Sequence, residues 1–228
     1  MRAIIFDFNG VIADDEGPHV RCFCQALEEF GLRLSVADYY GTYLGMDERT
    51  CTALLLTARD GRSEETVVRR IQERKAELFR QHTVTHKPAL FPGVIEFVTA
   101  ARGLGCHVAI ASGGRREQID RALEGTPLQP VFEVIVSAED CLLGKPDPAI
   151  YRLALVRLND GLRGESPLQP GDCLVIEDSQ AGIRAARAAG MPVLGVATTY
   201  RPEQLQEANL VVPSLAGLDL NDVWARLR

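Results

Sequence analysis

Short runs of consecutive apolar residues recur along the chain, separated by longer segments of mixed polarity. The first run, Ala3–Phe6, is typical of a strand that is buried on both faces of a parallel sheet. Five later runs predict further strands of the same kind: His107–Ala111, Val131–Val136, Cys173–Ile176, Val193–Val196 and Leu210–Val212.

The segments between these strands predict helices. They are Val94–Arg102, Arg116–Leu123, Pro148–Leu158, Ser179–Ala189 and Glu203–Glu207. Strands that alternate with helices indicate an α/β fold, with a Rossmann-like, doubly wound parallel sheet. The Gly- and Pro-containing segment Asn159–Gly171 predicts a surface loop.

One long segment after the first strand breaks this alternation. Its pattern predicts consecutive helices over Val20–Phe30, Val36–Tyr43, Asp47–Ala58 and Ser63–Gln81. Gly31 stands where the first helix should stop, and Ser63 where the last should start. We therefore expect a helical cap over residues 16–87, inserted into a catalytic core of residues 1–15 and 88–228.

Composition and charge exclude several classes of partner. The chain has 228 residues, of which 46% are hydrophobic, and a net charge of −6. Nucleic-acid binding requires clustered Lys and Arg, so we expect no nucleic-acid partner. No apolar run approaches the roughly 18 residues of a membrane span, and Met1–Asp7 lacks the regions of a signal peptide. We expect no membrane association and a monomer or weak dimer.

The cysteines are scattered along the chain, at Cys22, Cys24, Cys51, Cys106, Cys141 and Cys173. The one close pair, Cys22 and Cys24, does not have a usual zinc-ligand spacing. Buried free thiols in a reducing cytoplasm are therefore expected, rather than disulfides or a metal cluster.

Four polar segments lie where the chemistry of a parallel sheet is expected. They are Asp7–Val11, Ser112–Gly114, Gly144–Pro148 and Glu177–Ser179. All but Gly144–Pro148 directly follow predicted strands. Because the carboxyl ends of parallel strands open on the same edge, these segments should converge, with Lys145 reaching back through a loop.

The residue types in these segments complement each other. Acidic side chains at two strand ends suit Mg²⁺, and Ser112 followed by Gly113 offers donors to phosphate oxygens. Lys145 adds a positive charge beside them. An Asp carboxylate held at this edge can then attack phosphorus and form an aspartyl-phosphate.

The ordered set of motifs closely resembles that of the haloacid dehalogenase-like superfamily. The matching residues are Asp7-x-Asn9-Gly10-Val11, Ser112, Lys145-Pro146 and Glu177-Asp178-Ser179-x-Ala181-Gly182. The resemblance is to the helical-cap subgroup, which includes β-phosphoglucomutase and many small-molecule phosphatases.

This resemblance implies a role for each matching residue. Asp7 is expected to be the nucleophile and a Mg²⁺ ligand, together with the backbone carbonyl of Asn9 and the carboxylate of Asp178. Glu177 would hold a metal-bound water. Ser112 and Lys145 would bind the phosphate.

Asn9 departs from the family pattern, which usually has a second Asp there as general acid and base. A backbone carbonyl is unaffected by this change, but an amide cannot carry the proton, a role worth roughly 10²–10⁴-fold in rate. Three explanations are open: a substitution made to trap a complex, a natural variant with another acid, or a lineage doing different work.

Three residues of the cap are candidate substrate contacts. His19 lies at the expected hinge, where the family often has a histidine, and Arg49 follows Gly45–Asp47 in a segment that resembles a substrate-contacting loop. Lys75 shares a helix face with Val67, Ile71 and Leu78. Each also has a plain structural interpretation: a satisfied histidine, a surface arginine, or a lysine that extends to water.

The resulting expectation is a Mg²⁺-dependent phosphohydrolase whose cap closes over a small phosphorylated metabolite. A phosphohexomutase is the nearest alternative. A weakly active phosphometabolite-binding protein is another, because Asn9 removes the usual proton carrier. Dehalogenation is disfavoured, since it would leave the acidic pair Glu177–Asp178 unexplained.

Overall fold

A computed structural model describes residues 2–43, 48–164 and 166–227 of the chain. The chain divides into two compact units: a core unit, Met1–Asp14 with Ala89–Arg228, and a cap unit, Asp15–Pro88. These bounds lie one residue from those expected from the sequence. That the core unit folds without the cap unit stays a prediction.

The strands and helices follow one another along the chain in an order that separates the two units. The strands are β1 (Ala3–Phe6), β2 (Ala13–Asp14), β3 (Ala89–Leu90), β4 (His107–Ala111), β5 (Val134–Val136), β6 (Cys173–Glu177), β7 (Val193–Val196) and β8 (Leu210–Val212). The helices are α1 (Glu16–Glu29), α2 (Val36–Asp38), α3 (Glu48–Asp60), α4 (Glu65–Thr85), α5 (Val94–Gly103), α6 (Arg116–Leu123), α7 (Ala149–Gly161), α8 (Gln180–Ala188) and α9 (Leu220–Arg226).

The core unit is built on a parallel sheet of the Rossmann-like kind, which confirms the predicted fold class. In the described chain it has six strands, in the order β5-β4-β1-β6-β7-β8. β1 lies at its centre, paired in parallel with β4 and β6, and every residue of β1 is buried. This position explains the unbroken apolar run Ala3–Phe6, since neither face of the strand meets water.

A second, two-stranded sheet stands where the chain leaves the core and returns to it. β2 and β3 pair antiparallel, with Ala13 beside Leu90 and Asp14 beside Ala89. The two ends of the cap insertion are therefore adjacent on the core unit. The sequence analysis missed this sheet because two-residue strands leave no periodic pattern.

The cap unit is helical, as predicted, with its own apolar core. α1 and α4 pack along each other, and Gly31, with φ of 73°, follows the end of α1. The buried residues include Phe23, Leu27, Ile71 and Phe79. Most of the unit's core therefore comes from the facing stripes of two amphipathic helices.

Some predicted elements differ from the observed ones in the cap unit. Val36–Tyr43 is not one α-helix, since α2 ends at Asp38 and a π-helical turn covers Tyr39–Tyr43. There the Tyr39 ring packs edge-on against Phe23 and its hydroxyl donates to Glu16. The last cap helix begins at Glu65 rather than Ser63 and continues to Thr85. The first predicted residue of Asp47–Ala58 lies outside the described residues.

In the core unit the differences are also local. β5 begins at Val134 rather than Val131, because the Val131 amide closes a turn onto Leu128 O. The predicted helix Glu203–Glu207 is a 3₁₀ turn over Pro202–Gln204. α7 continues to Gly161, into the predicted loop, and α9 was not predicted.

All six cysteines lie in the described part of the chain and are free thiols, as expected. Cys24 and Cys141 are half-buried and the others are buried. Among the helices described, none combines the length and apolar character that a membrane crossing requires.

Candidate active site

The carboxyl ends of β1, β4 and β6 bring three of the polar segments to one edge of the sheet. Phe6 pairs with Ile110 of β4 and Ile176 of β6, so the three strands end at the same level. Asp7 follows β1, and its amide donates to Ile176 O at 2.9 Å. Ser112 directly follows β4, and Glu177 is the last residue of β6.

Lys145 reaches this edge from the loop between β5 and α7. Its ammonium donates to Asp7 Oδ1 at 2.8 Å and to Glu177 Oε1 at 2.7 Å. The side chain is only 12% exposed. The structure therefore places one cation between the carboxylates of two different strands.

Glu177 is fully buried, and both of its oxygens are surrounded by donors. Oε1 accepts from Lys145 and, at 2.9 Å, from the Tyr151 hydroxyl. Oε2 accepts from the Asp178 amide and from both the amide and the hydroxyl of Ser179, at 2.8–2.9 Å. Ser179 is also the N-cap of α8, so the helix start itself holds this carboxylate.

Burial and the neighbouring carboxylates raise the pKa values of Asp7 and Asp178. Burial raises the pKa of Asp7 to about 6, against the opposing effect of Lys145. Burial, followed by the charges of Glu177 and Asp7, raises the pKa of Asp178 well above its usual range. Lys145 keeps a raised pKa: burial would lower it, but Asp7 and Glu177 outweigh that effect.

The carboxylates of Asp7, Glu177 and Asp178 form a donor set that fits a divalent cation. Each offers an oxygen within 4.8 Å of the others, and all three are buried in the described structure. Buried carboxylates at this spacing are stabilised by a positive ion. The oxygen-only chemistry fits Mg²⁺ rather than a softer metal.

Gly10 makes room for Asp178. A Cβ atom on Gly10 would fall 2.0 Å from Asp178 Oδ2, and the residue has φ of 77°. The Gly10 carbonyl in turn accepts from the Thr198 hydroxyl. Only glycine fits both requirements, which explains why residue 10 is a glycine beyond a simple turn preference.

Asn9 and Ser112 are in contact across the edge of the sheet. The Ser112 hydroxyl lies 3.3 Å from Asn9 Oδ1 and accepts from the Gly114 amide at 3.0 Å. Ser112 is buried, whereas Gly113 is exposed. The loop after β4 thus brings the Ser112 hydroxyl beside the residue that departs from the family pattern.

In the cap unit, the structure brings His19 and Lys75 together but not Arg49. Lys75 is 6% exposed, and its ammonium lies 2.6 Å from His19 Nδ1 and 2.5 Å from Glu48 Oε1. Since an ammonium can only donate, His19 Nδ1 is the acceptor, and Nε2 faces Asp15 at 3.4 Å. Lys75 therefore does not extend to water.

Arg49 is exposed and forms an ion pair with Glu65 at 2.8 Å. The preceding residues Gly45–Asp47, on which its predicted role also rested, lie outside the described residues. The roles of His19, Arg49 and Lys75 as substrate contacts stay predictions.

The sequence analysis missed Tyr151 and Thr199. Tyr151 occupies an ordinary apolar helix position six residues after Lys145, and its pattern gives no sign of the contact with Glu177. Burial and then the charge of Glu177 raise its pKa well above the usual range. Thr199 donates to Asp178. It follows the end of β7, so the rule that polar residues collect at strand ends could have found it.

This chain is similar to known proteins along most of its length. A family model described as haloacid dehalogenase-like hydrolase matches residues 1–190. The plasmid-encoded protein CbbY of Cupriavidus necator is 32% identical over 227 residues, covering 94% of this chain and 86% of that protein. The phosphorylated carbohydrates phosphatase of Thermotoga maritima is 31% identical over 193 residues, covering 84% and 82%.

A solved structure extends the comparison to the fold. An Asp-to-Asn variant of CbbY from Rhodobacter sphaeroides, in complex with xylulose-1,5-bisphosphate, has a TM-score of 0.79 at 26% identity and covers 96% of each chain. A longer relative, the chloroplastic Suppressor of quenching 1 of Arabidopsis thaliana, is 27% identical over 227 residues. The match covers 98% of this chain but 20% of that protein's length.

Proposed function

Because this chain belongs to the haloacid dehalogenase-like hydrolases, we propose that it is a Mg²⁺-dependent phosphohydrolase with Asp7 as covalent nucleophile. The observation that carries the proposal is the convergence of Asp7, Lys145, Glu177 and Asp178 at one sheet edge. The function of a common fold lies in its site, and this set provides a nucleophile, a cation and a metal-binding group.

Two steps transfer the phosphoryl group. In the first, a carboxylate oxygen of Asp7 attacks phosphorus, and the ester oxygen leaves with the bonding electron pair and takes up a proton. In the second, water attacks the phosphorus of the aspartyl-phosphate and loses a proton, and the bond between phosphorus and the Asp7 oxygen breaks, which releases inorganic phosphate and restores the Asp7 carboxylate. Lys145, Ser112 and Gly113 hold the phosphate oxygens in both steps.

The carboxylates of Asp7 and Asp178 and the backbone carbonyl of Asn9 would hold Mg²⁺, with Glu177 holding a metal-bound water. When bound, the ion neutralises negative charge on the phosphoryl oxygens. Lys145 adds a second positive charge there, and its contact with Asp7 keeps the attacking carboxylate ionised.

A phosphorylated sugar is the proposed substrate. The relatives named as a phosphorylated carbohydrates phosphatase and as a complex with xylulose-1,5-bisphosphate support this class. His19, Arg49 and Lys75 of the cap unit are proposed to contact the part of the substrate that carries the leaving oxygen. Two of the three, His19 and Lys75, are already in contact with each other in the cap unit, and Glu48 pairs with the Lys75 ammonium.

Asn9 favours one second candidate, a phosphometabolite-binding protein with weak turnover. Its amide beside Ser112 can donate and accept hydrogen bonds but cannot carry a proton. Such a protein would bind the phosphate ester through the same residues and release phosphate slowly.

A phosphate-release screen against sugar phosphates and bisphosphates tests the proposal. The wild type should release phosphate in the presence of Mg²⁺, and Asp7→Asn should not. Asp120→Asn, which changes an exposed carboxylate of α6 paired with Arg116, is the matched control. Binding without release supports the second candidate. Isomerised sugar phosphate in place of free phosphate would instead indicate a phosphohexomutase.

A further inference from the structure

Among the described residues, the Tyr151 hydroxyl is the one donor to Glu177 other than the Lys145 ammonium and the groups of Asp178 and Ser179. It donates to Oε1 at 2.9 Å, the same oxygen that accepts from Lys145 at 2.7 Å. We infer that Tyr151 is a positioning residue: by holding Glu177, it keeps the Lys145 ammonium directed at Asp7 and at the phosphate. This inference rests on the proposed function.

The shared oxygen gives the physical reason. Lys145 divides its donors between Glu177 and Asp7, with the contact to Asp7 at 2.8 Å. The hydrogen bond from the Tyr151 hydroxyl partly satisfies Glu177 Oε1 as an acceptor. It therefore weakens the attraction between that oxygen and the Lys145 ammonium. Without the phenol, Lys145 is the donor that remains on Oε1 among the described residues, and Glu177 draws the ammonium away from Asp7.

Tyr151 is held firmly enough to do this. It is among the largest fully buried side chains, and it lies in the first turn of α7, which packs against β4 and β5. α7 begins directly after the loop that carries Lys145, and the Asp147 carboxylate accepts from the Ala149 amide at 2.9 Å to fix that start. The Lys145 ammonium also lies 5.0 Å from the centre of the Tyr151 ring. The junction between this loop and α7 therefore places both donors, Lys145 and Tyr151, beside Glu177 Oε1.

Loss of the hydroxyl should affect the chemical step more than binding. A Lys145 ammonium displaced from Asp7 no longer stabilises the charge that develops during phosphoryl transfer. Misplacement of a catalytic group by about 1 Å lowers rates by up to roughly 10²-fold. Ser112 and Gly113 still hold the phosphate, so the loss in binding should be smaller.

The test is Tyr151→Phe, which removes one oxygen and keeps the ring. Its control is Tyr39→Phe, which removes a hydroxyl that donates to a different carboxylate, Glu16 of the cap unit. With a sugar phosphate and Mg²⁺, kcat of Tyr151→Phe should fall roughly tenfold or more, while KM rises about fivefold at most. The melting temperature should fall no more than in the control. A kcat within about twofold of wild type overturns the inference, as does an equal loss in the control.

A double-mutant cycle separates positioning from a purely structural effect, using calorimetric binding of inorganic phosphate rather than turnover. In the wild-type background, Tyr151→Phe should weaken phosphate binding about fivefold. In the Glu177→Gln background the same substitution should have no effect, because the Tyr151 hydroxyl acts through Glu177. Equal losses in both backgrounds overturn the inference.

The binding measurement also distinguishes the two proposals. If the wild type does not hydrolyse sugar phosphates, the proposed function fails while phosphate binding still tests Tyr151. If the wild type is active and Tyr151→Phe matches it, only the role of Tyr151 fails. A wild type that neither turns over nor binds phosphate overturns both.

Discussion

Gly182 lies so close to Glu177 that a Cβ atom on its backbone would fall 1.5 Å from Glu177 Oε1. The cause is the start of α8, where Ser179 caps the helix and accepts from the Gly182 amide at 3.0 Å. The first turn of the helix thus passes directly against the buried carboxylate. Glu177 can adopt its observed position only if residue 182 has no side chain.

Gly182→Ala is therefore expected to disable the site. The added methyl group must displace Glu177, which breaks its contacts with Lys145 and Tyr151, and overpacking of this kind costs about 1–3 kcal/mol of folding free energy. We expect phosphatase activity to fall at least about 10²-fold. The control is Gly103→Ala in α5, where a Cβ atom meets nothing within 4 Å. That variant should retain activity and gain a few tenths of a kcal/mol or more in urea unfolding. An active Gly182→Ala would contradict the assigned position of Glu177.

Magnesium should stabilise the protein against heat. Burial and the neighbouring carboxylates raise the pKa of Asp178, so a cation bound there relieves repulsion in the folded state alone. At a concentration of 100 times its dissociation constant, Mg²⁺ would add about 2.7 kcal/mol to the free energy of unfolding. Differential scanning fluorimetry at low phosphate should show the increase in melting temperature in the wild type and in Asp120→Ala, but not in Asp178→Ala. Equal melting of the wild type with Mg²⁺ and with chelator would argue against the metal site.

Asn9 should divide the reaction into a fast and a slow step. Asp7 can attack phosphorus with Lys145 in place, but hydrolysis of the aspartyl-phosphate needs a base to activate water. With an aryl phosphate or acetyl phosphate, whose leaving groups need no proton, a phosphoryl group should accumulate on Asp7. Intact-protein mass spectrometry after a brief, acid-quenched incubation should detect it in the wild type and not in Asp7→Asn.

Asn9→Asp is the matched variant, because it keeps the shape and the oxygen that lies beside the Ser112 hydroxyl. It should raise steady-state turnover by roughly 10²-fold or more and abolish the accumulation. If the wild type already turns over a sugar phosphate rapidly and Asn9→Asp changes little, another residue carries the proton. His19 would then be the first candidate, while the role of Asp7 would stand.

The ion pair between Arg157 and Asp140 should make the stability of the protein depend on pH. Arg157 of α7 donates to Asp140 at 2.6 Å, and this contact, with donors from Ser137, lowers the pKa of Asp140 to about 2. A lowered folded pKa stabilises the protein above the unfolded value near 3.8 and loses that effect as the pH falls towards 2. The pair is partly solvent-screened, so Asp140→Asn should cost about 1 kcal/mol at pH 7. Urea unfolding should show that the difference in the free energy of unfolding between variant and wild type becomes smaller from pH 4 to pH 2.5. A difference that stays constant over this pH range would mean that the charge of Asp140 does not cause the stabilisation.

The pairing of Asp14 with Ala89 allows a precise deletion of the cap unit. These residues face each other in the antiparallel β2–β3 pair, so an Asn-Gly turn in place of residues 15–88 should close a hairpin. We expect the resulting core to unfold cooperatively and to bind inorganic phosphate, but to lose discrimination among phosphorylated substrates. Circular dichroism and calorimetry measure these properties. A deletion protein without a cooperative transition would refute the independence of the core unit.

The sequence by itself determined the fold class and most of the residues at the sheet edge. Unbroken apolar runs such as Ala3–Phe6 arise because central parallel strands are buried on both faces, and this requirement is visible locally. Polar residues directly after such runs, including Asp7, Ser112 and Glu177, must then meet at the carboxyl edge whatever the loops do. Their identity and order also carried the family resemblance.

Only the tertiary structure decided how these residues contact one another. Lys145 is placed between Asp7 and Glu177 by a loop whose path leaves no periodic signal, and Tyr151 looks like any apolar residue of a helix until α7 is packed. In the cap unit, Lys75 meets Glu48 while Arg49 pairs with an exposed carboxylate, because the packing of α3 against α4 selects between neighbouring residues. Contacts between distant segments depend on the relative placement of whole elements, and local residue patterns do not record that placement.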